Sequence, residues 1–185
     1  MKPVAGPVEI DEQGLARGVP FFESPNCDAR PVHASIDLLV IHAISLPPGV
    51  FGGTAIADLF LNRLDVRAHP YFAALDGVRV SAHFVIYRPG ALVQFVPCLA
   101  RAWHAGVSSW KGRPRCNDYS IGVELEGCDD MPFEDAQYET LAKLTQALRR
   151  SYAIASLAGH SDIAPERKTD PGPHFDWRRY LAQAA

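Results

Sequence analysis

Two histidines and one aspartate are the residues whose types could build a metal centre. His42 lies near the carboxyl end of the apolar segment 36–44, and His160 directly follows a second, shorter apolar segment. Asp170 precedes a proline, which favours an extended backbone at Asp170 and restricts where its carboxylate can point. Two imidazoles and a carboxylate can bind zinc and leave a fourth position open for water. Together the three residues would make a three-ligand zinc site.

Each of these residues also has a simpler interpretation. A lone histidine on a buried strand is more often a core residue with satisfied hydrogen bonds than a ligand. The residues around Asp170 could form an ordinary turn, and no short motif links positions 42, 160 and 170. Taken one at a time, the three residues favour structural roles, and only the set suggests a metal.

Two glutamates and a lysine could supply the acid–base and electrostatic chemistry. Glu124 and Glu126 share the polar face of one alternating strand, where Gly122 leaves room for a ligand to approach. Either glutamate could accept a proton. A solvated strand face is the alternative, and it is stronger for Glu126 than for Glu124. Lys168, close to Asp170, could stabilise a developing oxyanion or could be a surface lysine.

The hydrophobic pattern predicts the elements that position these residues. Segment 36–44 is almost continuously apolar and β-branched, which indicates a central strand buried on both faces. Alternation and flanking turn residues predict further strands at 81–87, 92–97, 103–107, 119–126 and 154–157. Apolar residues at helical spacing predict helices at 54–64, 134–152 and 175–181. The predicted fold is mixed α/β, a central mixed β-sheet flanked by helices.

Length and composition predict one ordinary globular domain. The chain has 185 residues, of which 48% are hydrophobic and 21% charged. We expect one domain over 1–185, with an irregular N-terminal arm at 1–30 and a catalytic core at 31–181. Segments 108–118 and 161–173 are rich in polar residues, glycine and proline, and are expected to be loops.

Several functional classes are disfavoured. With 18 basic and 21 acidic residues the net charge is −3, whereas a nucleic-acid-binding domain is usually basic. No segment reaches the 18 apolar residues of a membrane helix, and the first 30 residues lack a signal-peptide pattern. We therefore expect a cytoplasmic protein that binds neither nucleic acid nor membrane. The four cysteines form no CxxC pair and are expected to be reduced thiols.

Long segments of the chain resemble the AmpD-type N-acetylmuramoyl-L-alanine amidases. The similarity runs from about residue 18 to 180 and is carried by LLVIHAISLPPGVFGG, HPYF, RVSAHFVIYRPG, RAWHAGVSSWKGRPRCNDYSIGVELEG and GHSDIAPERKTDPGPHFDW. These amidases are cytoplasmic bacterial enzymes related to phage lysozyme-like amidases and to peptidoglycan-recognition proteins. The resemblance implies a fold of that class, an anhydromuropeptide substrate, and cleavage between the N-acetylmuramic lactyl carbonyl and L-alanine.

The resemblance also implies a role for each residue of the site. His42, His160 and Asp170 match the family's zinc ligands, Glu124 its catalytic glutamate and Lys168 its catalytic lysine. Zinc would activate water for attack on the amide, Glu124 would carry the proton to the leaving nitrogen, and Lys168 would share the oxyanion with zinc.

Further positions match residues that line the family's substrate cleft. These are Arg79, Trp103, His104 and Arg115, and the positive charge of Arg79 and Arg115 suits an anionic peptide. The chain departs from the family at Ala43, where relatives often carry Asn after the first histidine. If that Asn helps to hold the peptide, one hydrogen bond is lost here.

Two other functions remain as alternatives. One is a peptidoglycan-fragment-binding module without turnover, although relatives of that kind typically lack a zinc ligand. The other is a glycoside hydrolase that uses Glu124 and Glu126 as its carboxylate pair. Residues two apart on a strand lie roughly 6.5–7 Å from each other, within the range of an inverting mechanism. We expect no obligate protein partner and a monomer.

Overall fold

A five-stranded β-sheet forms the centre of the computed structural model, which describes residues 3–185. The strands are β1 (Cys27–Ala29), β2 (Leu38–Ile44), β3 (Phe84–Ile86), β4 (Leu92–Gln94), β5 (Ala100–Ala102), β6 (Ser109–Trp110), β7 (Arg113–Pro114), β8 (Ser120–Glu126) and β9 (Ser156–Gly159). The α-helices are α1 (Ala55–Phe60), α2 (Asp135–Ser151), α3 (His160–Ile163) and α4 (Trp177–Gln183), with 3₁₀ helices at Pro70–Leu75 and Cys116–Asp118.

The central sheet has the strand order β4-β3-β8-β2-β9. Its three inner pairings are parallel, and β4 joins the edge as an antiparallel hairpin partner of β3. Strand β2 is flanked on both sides, as its nearly continuous apolar sequence predicts, and Leu38 to Ile41 are fully buried. The mixed α/β architecture predicted from the sequence is confirmed.

The two faces of the sheet carry different functions because side chains alternate along each strand. On one face Leu39 and Ile41 of β2 join Ile121, Val123 and Leu125 of β8 in a core that α2 and α4 cover. On the opposite face β2 presents Leu38, Val40 and His42, while β8 presents Ser120, Gly122, Glu124 and Glu126. The polar residues of the predicted site therefore lie on the face away from α2.

Several predicted boundaries are wrong for local reasons. Segment 103–107 is not a strand, because the Asn117 side chain accepts the backbone N–H groups of His104 and Ala105 that a sheet partner would otherwise bind. Helix α1 ends at Phe60 rather than near 64, because Asn62 adopts a left-handed backbone with φ 56° and its side chain bonds Asn26.

Three segments expected to be irregular contain regular structure. Part of the N-terminal arm forms β1, which pairs antiparallel with β5. The loop at 108–118 contains the small hairpin of β6 and β7. The loop expected at 161–173 lies partly within α3, where the Asp162 side chain accepts the backbone N–H of Gly159 and so caps the helix start. Short elements of this kind depend on tertiary partners more than on periodicity.

Arg30 ties the N-terminal arm to the start of β8. Its guanidinium donates to the carbonyls of Cys98, Asn117, Asp118 and Ser120 at 2.8–3.2 Å. Burial lowers the pKa of Arg30 to about 10, which leaves it charged at neutral pH. The four carbonyls partly replace the water that the cation gives up on burial.

The four cysteines are free thiols, and Cys98 and Cys116 among them are buried. Within residues 3–185 no helix combines the length and apolar character needed to cross a membrane.

Gln137 is the polar anchor of α2, and its removal tests how the helix is held on the sheet. Its buried amide donates to the carbonyls of Ile86 and Glu126, both at 3.1 Å. Gln137→Leu removes the side-chain donor from both carbonyls, so we expect the free energy of unfolding to fall by about 1–3 kcal/mol in urea denaturation. Gln146→Leu, which removes an exposed hydrogen bond on the same helix, is the control. An equal loss in both variants would contradict this assignment.

Candidate active site

His42, His160 and Asp170 converge at the carboxyl ends of β2 and β9. The Nδ1 atoms of His42 and His160 are 2.9 Å apart. Asp170 Oδ2 lies 3.2 Å from His42 Nδ1 and 3.1 Å from His160 Nδ1. The three residues that the sequence singled out separately therefore form one cluster that could hold a metal ion.

The parallel pairing of β2 with β9 brings the two histidines together. Ile41 is the register partner of Gly159, so the next residues along each chain, His42 and His160, emerge side by side. Asp170 is drawn in by a backbone hydrogen bond from Ser161 N–H to its carbonyl, at 2.8 Å. Gly159 permits this approach, because a Cβ there would lie 2.7 Å from Cδ of Pro171.

The donor set of the cluster suits zinc. His160 Nε2 lies 3.2 Å from the carbonyl oxygen of Ala105, which can only accept, so the proton of this ring is on Nε2 and its Nδ1 is bare. Ligand atoms of a tetrahedral zinc site, at 2.0–2.2 Å from the metal, lie about 3.3 Å from each other. The separations of 2.9–3.2 Å within the cluster are close to that spacing.

Burial and proximity set the protonation of the cluster. Burial lowers the pKa of His42 to about 4, although Asp170 acts in the opposite direction. Burial would raise the pKa of Asp170, but the nearby imidazoles of His160 and His42 outweigh this and hold the pKa well below its usual range. At neutral pH the site therefore offers a neutral imidazole and a carboxylate, the forms that bind metals.

Glu124 stands beside the cluster on the neighbouring strand. It is the register partner of His42 across the β2–β8 pairing, and its Oε1 lies 4.0 Å from His42 Nδ1. The side chain is 12% exposed, and within the described residues its buried Oε2 has no hydrogen-bond partner. Burial, and next the nearby charge of Asp170, raise the pKa of Glu124 well above its usual range. A buried, unpartnered carboxylate is unusual in a purely structural position.

A cavity of about 570 Å³ opens over this group. Glu124, His160, Asp170 and Lys168 line it, together with apolar residues of α1 and of the 3₁₀ helix Pro70–Leu75. Lys168 is half-buried, and its backbone N–H donates to the carbonyl of Ala164 at the end of α3. The predicted catalytic residues thus share one cavity with two of the predicted ligands, His160 and Asp170, while His42 is buried and does not line it.

The residues matched to the substrate cleft are less closely grouped. His104 is buried and lines the cavity, whereas Trp103, Arg79 and Arg115 do not. Arg79 is exposed and its guanidinium donates to the carbonyl of Val78. The exposed Arg115 pairs with Asp118 at 2.9 Å and borders a separate surface groove. A role for these three in binding stays a prediction.

Glu126 differs from the expectation of a solvated strand face. It is 2% exposed, and its carboxylate accepts the backbone N–H groups of Gly52 at 2.6 Å and Arg88 at 3.0 Å. These bonds anchor the loop after β2 and the turn between β3 and β4. They also use both carboxylate oxygens, which disfavours Glu126 as half of a glycosidase pair.

The space over Gly122 is also used differently from the prediction. A Cβ at this position would lie 2.5 Å from Cγ of His104, so the imidazole of His104 rather than a ligand occupies the room. Sequence reasoning missed Ser120, which contacts that ring. The signal was its place on the same strand face as Glu124, two pleats earlier.

The comparisons with known proteins agree with this geometry. Residues 32–173 match the family model described as N-acetylmuramoyl-L-alanine amidase. The 1,6-anhydro-N-acetylmuramyl-L-alanine amidase AmpD of Citrobacter freundii is 57% identical, over 94% of this chain and 93% of the relative.

Two solved structures extend the agreement to the fold. A crystal structure of a selenomethionine derivative of AmpD superposes with a TM-score of 0.92 at 54% identity, over 95% of this chain and 99% of that one. AmiD of Escherichia coli, solved with the substrate anhydro-N-acetylmuramic acid-L-Ala-D-γ-Glu-L-Lys, gives a TM-score of 0.59 at 29% identity, over 95% and 65%. The resemblance found in the sequence is confirmed, and the chain belongs to the N-acetylmuramoyl-L-alanine amidase family of hydrolytic enzymes.

Proposed function

We propose that the chain is a zinc-dependent amidase that cleaves the bond between 1,6-anhydro-N-acetylmuramic acid and L-alanine in muropeptides. The observation that carries this proposal is the convergence of His42, His160 and Asp170 beside the unpartnered carboxylate of Glu124, in a cluster that borders one cavity. The activity named for the AmpD relatives supports the choice of substrate. The reaction would serve cytoplasmic recycling of cell-wall fragments, as the resemblance implies.

His42, His160 and Asp170 would hold the zinc ion. When bound, zinc supplies Lewis acidity that lowers the pKa of a coordinated water from 15.7 to roughly 7. The chain's contribution is a rigid set of donors: His42 is buried on a strand that pairs on both sides, and His160 is fixed by the carbonyl of Ala105. A preformed site of this kind needs little rearrangement to accept the ion.

Glu124 would move the proton. Its raised pKa makes it a stronger base than an exposed glutamate, which suits removal of a proton from water and its delivery to the leaving nitrogen of L-alanine. The buried Oε2 has no partner among the described residues, so it is not committed to a structural bond. The pairing of β8 with β2 places Glu124 opposite His42, and this fixes the distance between the proposed base and the proposed metal ligand.

Lys168 would stabilise the oxyanion formed when the amide carbonyl is attacked. It lines the same cavity and belongs to the short connection between α3 and Asp170. A cation near the developing negative charge, in a site largely shielded from water, stabilises the transition state more than the ground state.

The cavity extends beyond the reacting centre and has two kinds of wall. Leu59, Phe60 and Leu75 supply apolar surface, and Arg167 and Lys168 bring positive charge beside the carboxylates of Glu124, Asp129 and Asp170. This combination suits a ligand with a sugar and an anionic peptide, and His104 borders the cavity near the ligands. Ala43 lines the wall where relatives often carry Asn, so no side-chain hydrogen bond is available there.

The alternatives fit the site less well. A binding module without turnover has no use for an unpartnered Glu124 beside a complete ligand set. A glycosidase needs a second free carboxylate, whereas Glu126 is bonded to two backbone N–H groups.

Metal removal tests the zinc requirement. After exhaustive dialysis against a chelator, the protein should release no peptide from anhydromuropeptide, because the remaining groups cannot activate water at neutral pH. Addition of one equivalent of zinc should restore release of the peptide. Mass spectrometry of the products measures this release in both experiments. Full turnover by metal-free protein would contradict the mechanism, and shortened sugar chains in place of free peptide would point to a glycosidase.

Glu124→Gln tests the proton carrier. The variant should bind zinc at wild-type stoichiometry. Its turnover rate should fall on the order of 10²-fold or more, because the side-chain amide of Gln cannot accept the proton. Glu126→Gln is the matched control on the same strand. It should retain turnover and lower the melting temperature, since one of two backbone N–H groups loses its acceptor. The reverse pattern would transfer the base role to Glu126.

Lys168→Met tests oxyanion stabilisation. We expect kcat to fall on the order of 10²-fold with zinc content unchanged, because only the transition state carries the charge that the lysine stabilises. Lys111→Met, at an exposed position of the β6–β7 hairpin away from the cavity, is the control. Equal kcat values for the two variants would remove Lys168 from the mechanism.

A further inference from the structure

His42 is held by a chain of buried hydrogen bonds that the proposed reaction does not use. Its Nε2 lies 2.9 Å from Nδ1 of His104, and Nε2 of His104 lies 3.1 Å from Oγ of Ser120. Ser120 Oγ in turn lies 2.6 Å from the carbonyl oxygen of Cys116. The side chains of His42, His104 and Ser120 are buried. The chain therefore runs from a backbone carbonyl to the ring of a proposed metal ligand.

The carbonyl at one end sets the position of every proton along this chain. A carbonyl oxygen only accepts, so the hydroxyl proton of Ser120 points to Cys116. With that proton used, the Ser120 oxygen accepts from Nε2–H of His104. A neutral His104 ring then has a bare Nδ1, which accepts from Nε2–H of His42. His42 is left with a bare Nδ1, the atom that faces His160 and Asp170.

The surroundings of His104 favour the neutral ring that this chain of hydrogen bonds contains. Among residues 3–185 its ring nitrogens contact only His42 and Ser120, and no carboxylate pairs with it. The nearest aromatic neighbours are the rings of His42 and His83, at centroid distances of 5.0 and 5.8 Å. A buried imidazolium without a carboxylate would carry a large desolvation cost.

This arrangement matters because a second acceptor competes for the His42 proton. Asp170 Oδ2 lies 3.2 Å from His42 Nδ1, and an ionised carboxylate is a stronger acceptor than a neutral imidazole. If the proton moved to Nδ1, it would occupy the lone pair that a metal needs, and the Nδ1–H group would donate a hydrogen bond to Asp170. In His160 the carbonyl of Ala105 accepts the Nε2 proton directly and so fixes the tautomer. In His42 the carbonyl of Cys116 acts through Ser120 and His104.

We propose that Ser120 and His104 are positioning residues that keep the proton of His42 on Nε2 and so present Nδ1 to the metal. The inference rests on the zinc site proposed above, and it gives His104 a role beyond bordering the substrate cavity. Two further residues hold His104 in place: Asn117 accepts its backbone N–H, and Gly122 leaves space for its ring. Hydrogen-bond partners of metal-bound histidines typically fix the ring tautomer in this way.

The tautomer of His42 can be measured directly in the metal-free wild-type protein. Long-range ¹H–¹⁵N correlation spectra of ¹⁵N-histidine-labelled protein separate the two neutral tautomers, and His42→Gln identifies the resonances of His42. We expect a proton on Nε2 and a bare Nδ1. A proton on Nδ1 would overturn the proposal without any variant of the chain having to fold.

A near-isosteric pair of variants tests the role of His104. In His104→Asn the side-chain oxygen is attached to Cγ as Nδ1 is in histidine, so an acceptor for His42 remains. His104→Leu has a similar size and no acceptor. The Leu variant should lose about 10- to 100-fold in zinc affinity, measured by chelator competition, and part of the His42 proton should move to Nδ1. The Asn variant should stay within a few-fold of wild type.

A control separates this effect from general destabilisation. His83 is a buried histidine whose Nδ1 accepts the backbone N–H of Gly122, and it makes no hydrogen bond to His42. His83→Asn should lower the melting temperature without changing the His42 tautomer or the zinc affinity. Equal losses of affinity in the Asn and Leu variants of His104, or wild-type affinity in the Leu variant, would overturn the proposal.

The same measurements distinguish failure of this inference from failure of the proposed metal site. A wild-type protein that binds no zinc but carries the His42 proton on Nε2 would contradict the metal site and support the positioning chain. Tight zinc binding, together with a His42 proton on Nδ1 in the metal-free protein, would support the metal site and contradict the positioning role of Ser120 and His104.

Discussion

The parallel register of β2 with its two neighbours is the constraint on which the site depends. It places His42 opposite Glu124 on one side, and it brings the residues after Ile41 and Gly159 together on the other. A shift of one residue in either pairing would turn His42 to the face covered by α2 or separate it from His160. The apolar residues of β2 resist such a shift, because Leu39 and Ile41 would leave the core. Hydrophobic packing on one face therefore positions the chemistry on the other.

Most buried polar groups near the site have a partner, and within residues 3–185 the buried side-chain atoms without one are Trp103 Nε1, Trp110 Nε1 and Glu124 Oε2. Glu126, Arg30 and His83 are satisfied by backbone groups and hold loops and strands in place. By contrast, the Oε2 atom of Glu124 is unpartnered within the described residues, and the acceptor atoms of His42, His160 and Asp170 face one another. Acceptors arranged in this way repel unless a proton or a cation lies among them. The surrounding network holds them there, and this strain is what a metal ion would relieve.

The sequence predicts the framework of the site better than its details. The apolar run of β2 and the alternation of β8 are local patterns, so the sheet, α2 and the polar strand face that carries Glu124 could be found from the residues alone. The proposed ligand set could be recognised by family resemblance, since no local pattern links its members. What could not be found depends on contacts distant in sequence. Glu126 is fixed by Gly52 and Arg88, and segment 103–107 is held as a loop by Asn117.

His104 illustrates why such contacts escape sequence reasoning. The resemblance placed it in the substrate cleft, and it does border the cavity. Yet its ring lies against Gly122 with one nitrogen toward Ser120 and the other toward His42. Only imidazole carries a hydrogen-bond donor and an acceptor on opposite sides of a rigid ring. The carbonyl of Cys116 can therefore fix the position of the proton on His42 through His104. The residue types Ser, His and Gly are each common, and their joint role exists only once β8 and the loop after β5 are folded against each other. The backbone carbonyl of Cys116, in the 3₁₀ helix before β8, is thereby coupled to the lone pair of a proposed metal ligand on β2.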